Sequence, residues 1–449
     1  MSSVCHIVQL FLKCRGSRVV QRQMGTWALS RLSTVSAGRV QPVLDIEHIL
    51  KNLELYEDSI EKRKVIPRPE IRNLPKLYEE AVALRDARDR AQQIREEHSL
   101  EVAKLIRDRK QDKQTQAETN ELKERGKILR DELRSAISNF NKVNDAIIDL
   151  VISLPNILDP ATLEINKFLR TVDVPEGVKS WSTPPDLEWT VVPGVGPAAE
   201  FPRSKASLLE LELSGEAQSY LLKNKYTETG NVDFVESSLF DVSGMDPNQF
   251  IRIRESNINP IPESHASYLV GGASFPAFLA LFAQSLVKNP DEVMPIRYFV
   301  IGRSYGKKKY EKNTVYQRSA VQVFIACKNE QEMEQEFENL SNLTGNFLSR
   351  HIGTPFVMEQ VGAPNLQNYE RKQVAFLTEG SSKTISSVSA IGDHVSKRLL
   401  CCYAGNSTKQ AKFMHLVTGR FLNLTDFIRP LEVPPNPVNN SMSSNAYVA

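Results

Sequence analysis

Leu129-Arg130-Asp131-Glu132-Leu133-Arg134-Ser135-Ala136-Ile137-Ser138-Asn139-Phe140-Asn141-Lys142-Val143-Asn144-Asp145-Ala146-Ile147-Ile148-Asp149-Leu150-Val151-Ile152-Ser153-Leu154, ended by Pro155, decides the architecture of the N-terminal third. Leu129, Leu133, Ala136, Phe140, Val143, Ile147, Leu150 and Leu154 are spaced by alternating fours and threes. A 3.5-residue period lays one apolar seam along a helix, which is what packing against a second helix requires. Upstream, Leu77, Ala81, Leu84, Ala91, Ile94 and Leu105 form a weaker but compatible seam, and polar Asp112–Gln116 suits the turn between them. The expectation is an antiparallel hairpin of two helices of about 35 residues, reaching about 50 Å at 1.5 Å per residue. Such an arm is too thin to enclose a ligand, so whatever it does is done on its surface.

Outward from the arm, the chain changes character on both sides. Residues 1–44 carry Lys13, Arg15, Arg18, Arg22, Arg31 and Arg39 and no acid before Asp45, with an apolar run from Val4 to Leu12. A basic, Ser-rich, acid-free leader reads as a mitochondrial transit peptide, which places the mature chain in the matrix. The arm proper occupies 45–155, and a Pro-, Ser- and Trp-containing linker is expected over 156–193. From 194 to 430, amphipathic Ser207–Asn224 and Glu330–Arg350 alternate with strand-like Arg297–Gly302 and Tyr316–Cys327. That mixture argues for a single α+β domain. Residues 431–449, with Pro434, Pro435, Pro437 and several Asn and Ser, read as a disordered tail.

Composition excludes several classes. With 449 residues, 41% hydrophobic and 24% charged, the chain has room for two or three soluble domains. No run of eighteen apolar residues implies a membrane span, and five cysteines and seven scattered histidines give neither a disulfide framework nor a zinc spacing. Gly194 to Ala199 formally matches a dinucleotide fingerprint but lacks a βαβ setting, and Gly302 to Lys307 is one residue short of a phosphate loop. The formal charge of +2 is uneven: without the leader the remainder is at −4. Yet Lys104, Arg107, Arg109, Lys110, Lys113, Lys123, Arg125, Lys127 and Arg130 face only five acids between Lys104 and Arg130. A net +4 at the end of a lever on an otherwise acidic chain suits phosphate contacts.

Five strings, in order, resemble the seryl-tRNA synthetase family, a class II family. Ile152 to Pro160 resembles its I-P-N-x-x-x-P exit from the arm. Tyr268 to Pro276 resembles Y-L-I-x-T-A-E-x-P, and Met294 to Tyr298 resembles L-P-I-R-Y ahead of motif 2. Ile385 to Tyr403 resembles I-S-S-C-S running to I-R-Y, and Phe413 to Arg420 echoes the approach to motif 3. The resemblance spans nearly the whole mature chain. It implies a helical arm that grips the long variable arm of tRNA-Ser, and an antiparallel sheet flanked by helices.

The same strings lack the family's substrate anchors. Gly272 and Ser274 stand where the resemblance places the Thr and Glu that hold serine, so no carboxylate meets the substrate's ammonium. In Ile301-Gly302-Arg303-Ser304 the ATP-clamping Arg is lost or displaced by one position, and the Glu is absent. Val321 replaces the ring that stacks on adenine, and Thr384 replaces a further Glu. Arg420 keeps the place of the motif 3 arginine on a shortened loop. Ser237-Ser238 occupies the motif 1 stretch without its proline. The chain is therefore similar to the seryl-tRNA synthetase-like mitochondrial proteins of insects. This implies a fold without aminoacylation, no cofactor, and binding of tRNA, with tRNA-Ser first. It also implies pairing with the active mitochondrial seryl-tRNA synthetase or with a second copy. Lys307, Lys308 and Lys309, between Tyr305 and Tyr310, replace the motif 2 loop and suit an RNA end. The competing expectation is an enzyme that activates another carboxylate with ATP.

Overall fold

Asp45 accepts the His48 N–H at 3.1 Å, which caps α1 (Ile46–Lys51) ahead of α2 (Leu53–Arg63). The computed structural model describes residues 44–108, 116–178, 189–191, 200–253, 266–308, 311–378, 384–405 and 411–428. The segment expected as a leader (up to residue 43), residues 109–115 with most of the stretch expected as the arm's turn, the Gly194–Ala199 fingerprint and the segment expected as a tail lie outside these residues.

The arm is α3 (Leu74–Asp108) and α4 (Gln116–Ser153). Leu129, Leu133, Phe140, Ile147 and Leu154 are buried along one seam of α4, as their spacing predicts. On α3 the seam steps in sevens through Leu77, Leu84 and Ala91 to His98, whereas Ile94 stays 46% exposed. The antiparallel register is visible in two cross-contacts. The Arg88 guanidinium lies 4.7 Å from the centre of the Phe140 ring. A Cβ on Gly126 would stand 3.3 Å from the His98 ring. At the base, Leu74, Ile147, Ile148, Val151 and Leu154 share a core with Ile46, Ile49, Tyr56, Ile60 and Ile71.

The domain beyond is built on eight strands: β1 (Lys167–Val172), β2 (Thr227–Glu228), β3 (Ile296–Lys308), β4 (Glu311–Cys327), β5 (Phe356–Gln360), β6 (Lys372–Thr378), β7 (Thr384–Gly392) and β8 (His415–Asn423). Their order is β1-β5-β6-β7-β8-β4-β3-β2. Every pairing is antiparallel except β2 with β3, which is parallel. The expected α+β class holds, with one parallel edge strand added. The stretch 156–193 is not wholly a linker: Lys167–Val172 pairs with β5 as the opposite edge strand.

Helices cover both faces. On one, α5 (Lys205–Lys223) packs with two later helices, Glu330–Asn346 and Leu424–Ile428, over Val321, Val323, Ile325, Val388 and Phe421. This is the back. On the front, α6 (Ser237–Ser243) and α7 (Phe275–Phe282) cover Val300, Ala320 and Phe324. Phe275, Phe278 and Phe282 stack on Phe324 with centroids 6.2, 5.3 and 4.9 Å away. Among the described residues no helix is long and apolar enough to cross a membrane.

Candidate functional site on the sheet face

Neighbouring side chains of a strand point to opposite faces, so a one-residue shift exchanges front for back. Gly302 is on the front: a Cβ there would sit 3.8 Å from Ala273, in the loop that follows the short strand Ser267–Leu269. Arg303 therefore emerges on the back, where its Nη1 lies 3.1 Å from Glu210 Oε1 on α5. Ser319, directly opposite Arg303 on β4, donates its hydroxyl to the same carboxylate oxygen at 2.6 Å. Ser304 returns to the front and is buried. Val321 lies fully buried in the back core, and the front-facing neighbours are Ala320 and Gln322.

The loop is stitched to β3 by its own backbone. Ala273 N–H donates to Arg303 C=O at 3.0 Å, and Tyr305 N–H donates to Val270 C=O at 3.0 Å. Gly271 has φ of +82°, and a Cβ there would lie 2.2 Å from the Arg303 carbonyl, so only glycine permits this approach. Gly272 N–H donates to Asp233 Oδ1 at 2.8 Å, and Ser274 Oγ donates to Gly271 C=O at 2.6 Å. Ser274 thus serves the loop's fold and offers no charge. Beside it lies a cleft of about 590 Å³ whose charged lining is Glu228, Asp233 and Arg303.

Further along the front, Arg420 on β8 has its Nε buried with no hydrogen-bond partner among the described residues. Burial, and then nearby Arg318, push its pKa below the usual guanidinium value. Glu370 accepts from Ser389 Oγ at 2.7 Å, Gln373 Nε2 at 3.0 Å and Gln367 N–H at 2.8 Å, yet burial still raises its pKa. Gln322 Nε2 donates to Thr418 Oγ1 at 2.8 Å. Thr384 is exposed at the start of β7. The front therefore holds Arg420 and a hydrogen-bonded polar row, while the β3 arginine that could face it serves the back. The thiols of Cys327, Cys401 and Cys402 are buried with raised pKa, Cys402 to about 12, which makes them core rather than nucleophiles.

Residues 43–158 match the seryl-tRNA synthetase N-terminal domain family. The chain is 25% identical over 407 residues to the serine–tRNA synthetase-like protein Slimp of Drosophila melanogaster, covering 87% of this chain and 84% of that protein. Two crystal structures share its fold. One is the seryl-tRNA synthetase of Pyrococcus horikoshii complexed with ATP: TM-score 0.66, 15% identity, 86% of this chain and 93% of that one. The other is the cytoplasmic serine-tRNA ligase of Naegleria fowleri in complex with AMP: TM-score 0.62, 14% identity, 86% of this chain and 91% of that one. The chain is similar to seryl-tRNA synthetases, in sequence along its arm and in fold beyond it.

Lys104, Lys123, Arg125, Lys127 and Arg130 are exposed on the outer half of the arm. Lys127 is paired with Glu124 at 2.6 Å, on the same helix. Arg107 stands in the last turn of α3, and Lys307 and Lys308 end β3. Arg109, Lys110, Lys113 and Lys309 lie outside the described residues. Sequence reasoning missed the join between arm and sheet. Arg398, in the short helix His394–Leu399, donates to the carbonyls of Val151, Ile152, Leu154 and Ser243 at 2.9 to 3.2 Å. It thereby caps the C-terminal ends of α4 and α6 together. Gly244 must be glycine because a Cβ would lie 2.3 Å from Arg398 Nη1. Arg63, also buried, donates to the carbonyls of Gln367, Asn156 and Glu370. Arg398 stands inside the Lys397-Arg398-Leu399 string of the resemblance, but nothing in the spacing says that its partners are helix carbonyls.

Proposed function

We propose that the chain is a non-catalytic mitochondrial paralogue of seryl-tRNA synthetase. It binds tRNA, tRNA-Ser first, through the arm, pairs with the active mitochondrial enzyme, and supports mitochondrial translation without charging tRNA or using ATP productively. The observation that carries the loss of chemistry is the direction of Arg303. A guanidinium bound to Glu210 on the back of the sheet does not substitute for one at Gly302 on the front, and without it the charge developing at a phosphate is unsupported. The arm reading rests on its exposed cations, which favour polyanions and need no pocket.

The pairing reading rests on α5. Leu208, Leu211, Gly215, Ser219 and Leu222 recur at steps of three and four, and all five are exposed. The three leucines are 60, 69 and 50% exposed. Three exposed leucines with small Gly215 and Ser219 between them, on the side of the helix opposite buried Leu209, Leu213 and Ala217, fit a covered face.

Co-expression of the chain with the organelle's active seryl-tRNA synthetase, with the mass read by light scattering, tests the pairing: a one-to-one complex is expected. Leu208→Lys with Leu211→Lys should dissolve it, and a complex untouched by both changes sinks the stripe as the interface. For the arm, binding of tRNA-Ser should weaken at least tenfold when Lys104, Arg107, Lys123, Arg125, Lys127 and Arg130 become Ala, with a shallower salt slope. Millimolar ATP should raise the melting temperature no further than adenosine does at the same concentration; a clear excess would restore the carboxylate-activating reading. Import into isolated mitochondria, with N-terminal sequencing of the recovered chain, tests the leader.

A further inference from the structure

A second cavity, of about 460 Å³, lies on the front of β5 and β6 and reaches Thr384 at the start of β7, with β8 and β4 between it and Gly302. Its floor is aliphatic: Val357, Ala375 and Leu377. Its polar rim presents acceptors. Gln373 uses both its amide hydrogens on Glu370 and Ser389, at 3.0 and 2.9 Å, which leaves its carbonyl oxygen for the cavity. Asn365 donates to Asn166 at 3.3 Å, and Asn166 donates to Glu359 at 3.3 Å through one carboxylate oxygen. Among the described residues the Asn365 carbonyl and the second Glu359 oxygen remain available. Phe168, 59% exposed, pairs opposite Glu359 on β1 and so stands on the same face.

The ligand class follows by elimination. Among the described residues no Lys or Arg lines the cavity, so these residues offer a phosphate or carboxylate no counter-charge. Among the described residues Glu359 is the single charged group in the lining, which is too little for a multiply charged amine. What remains is a flat, uncharged molecule with apolar faces and hydrogen-bond donors on its edge. From the geometry we infer that this cavity receives one unstacked nucleobase carrying an exocyclic amine, adenine or cytosine. The base lies on Val357, Ala375 and Leu377, its amine donates to Glu359 and an amide carbonyl, and Phe168 stacks at the rim. Carboxylates and amides read the edges of these two bases in this way, and a face built from aliphatic and aromatic side chains tolerates their planes. A base reaching it could belong to a free nucleoside or to the unpaired end of an RNA. The chemistry of the cavity is the same for both, and the inference does not depend on the arm binding RNA.

The test is calorimetric titration of the full chain with adenosine, cytidine, uridine and a short single-stranded oligoadenylate. Saturable binding of adenosine or cytidine is expected, with uridine about tenfold weaker because it offers an acceptor where the others offer an amine. Glu359→Gln should cost about tenfold, and Ala375→Leu, which fills the floor, should remove binding. Competition by the oligonucleotide identifies an RNA end; its failure identifies the free nucleoside. No saturable heat at 10 mM of any nucleoside would overturn the inference, as would binding unchanged by Glu359→Gln. That variant changes no buried contact, so it remains decisive even if Ala375→Leu does not fold. Loss of tRNA binding in the arm variant with nucleoside binding intact would separate the two sites.

Discussion

The base and the outer half of the arm are made of the same two helices with opposite chemistry. At the base, Leu74, Ile147, Ile148 and Val151 are at most 2% exposed, and two buried arginines tie the backbone to the sheet domain. Further out, Leu100 and Ile128 are 64 and 58% exposed, the seam narrows to Leu129 and His98, and the charges face water. Apolar burial and satisfied carbonyls hold direction, whereas exposed cations make contact without a fixed partner. The contrast describes a lever with its buried apolar contacts at one end and its exposed charge at the other. Substitutions at the two ends should therefore separate stability from binding.

The largest expected effect is Arg398→Met. The side chain keeps much of its volume, but the carbonyls of Val151, Ile152, Leu154 and Ser243 lose their donor inside a dry site. Buried acceptors left unpaired should cost about 3 kcal/mol. Urea unfolding should show it, and limited proteolysis should cut near residue 155 sooner than in the parent. A loss below about 1 kcal/mol would mean that water replaces the guanidinium and that the clamp is not what fixes the arm.

Next is acid sensitivity at the same joint. Burial first, then Arg398, Arg63 and Lys397, depress the pKa of His394 well below 6.5, and burial also lowers that of His415. Both are held neutral in the folded chain. Their contribution is intact above the unfolded value near 6.5 and is lost as the pH falls toward the folded values, by up to about 1.4 kcal/mol per pH unit for each. The melting temperature should therefore drop between pH 7 and pH 5, and His394→Gln should flatten the slope. An unchanged slope would place the acid sensitivity elsewhere.

The arm was legible because periodicity is a local property: eight positions of α4 dictate a seam wherever the rest of the chain goes. The sheet was legible as class but not as topology, since nothing in Lys167–Val172 says that it will pair with Phe356–Gln360. At the site, Gly302 and Ser274 could be read from the strings, but the face that Arg303 takes could not. Whether it replaced the missing arginine depended on which face of β3 it takes, and that is set by the loop stitched over Gly302. Arg398 was hidden for the same reason: its partners are carbonyls, which every sequence has.

At the outer half, replacing the exposed cations by Ala should move stability by no more than about 0.5 kcal/mol while it weakens RNA binding, the reverse of Arg398→Met. A stability loss comparable to that at the base would mean that these charges hold the hairpin together.

The smallest effect, and the most diagnostic of packing, is at Gly126. In a helix interior alanine is favoured over glycine by about 1 kcal/mol. Here the added Cβ would meet the buried His98 ring at 3.3 Å, so the imidazole must yield by a few tenths of an ångström. Gly126→Ala alone should come out near neutral, because the propensity gain and the crowding oppose each other. The comparison that isolates the crowding is a double-mutant cycle: in a His98→Ala background, where the ring is gone, Gly126→Ala should show its full gain of about 1 kcal/mol. Identical effects in both backgrounds would mean that the helices do not touch at this level, and that the outer half is two helices side by side rather than a packed pair.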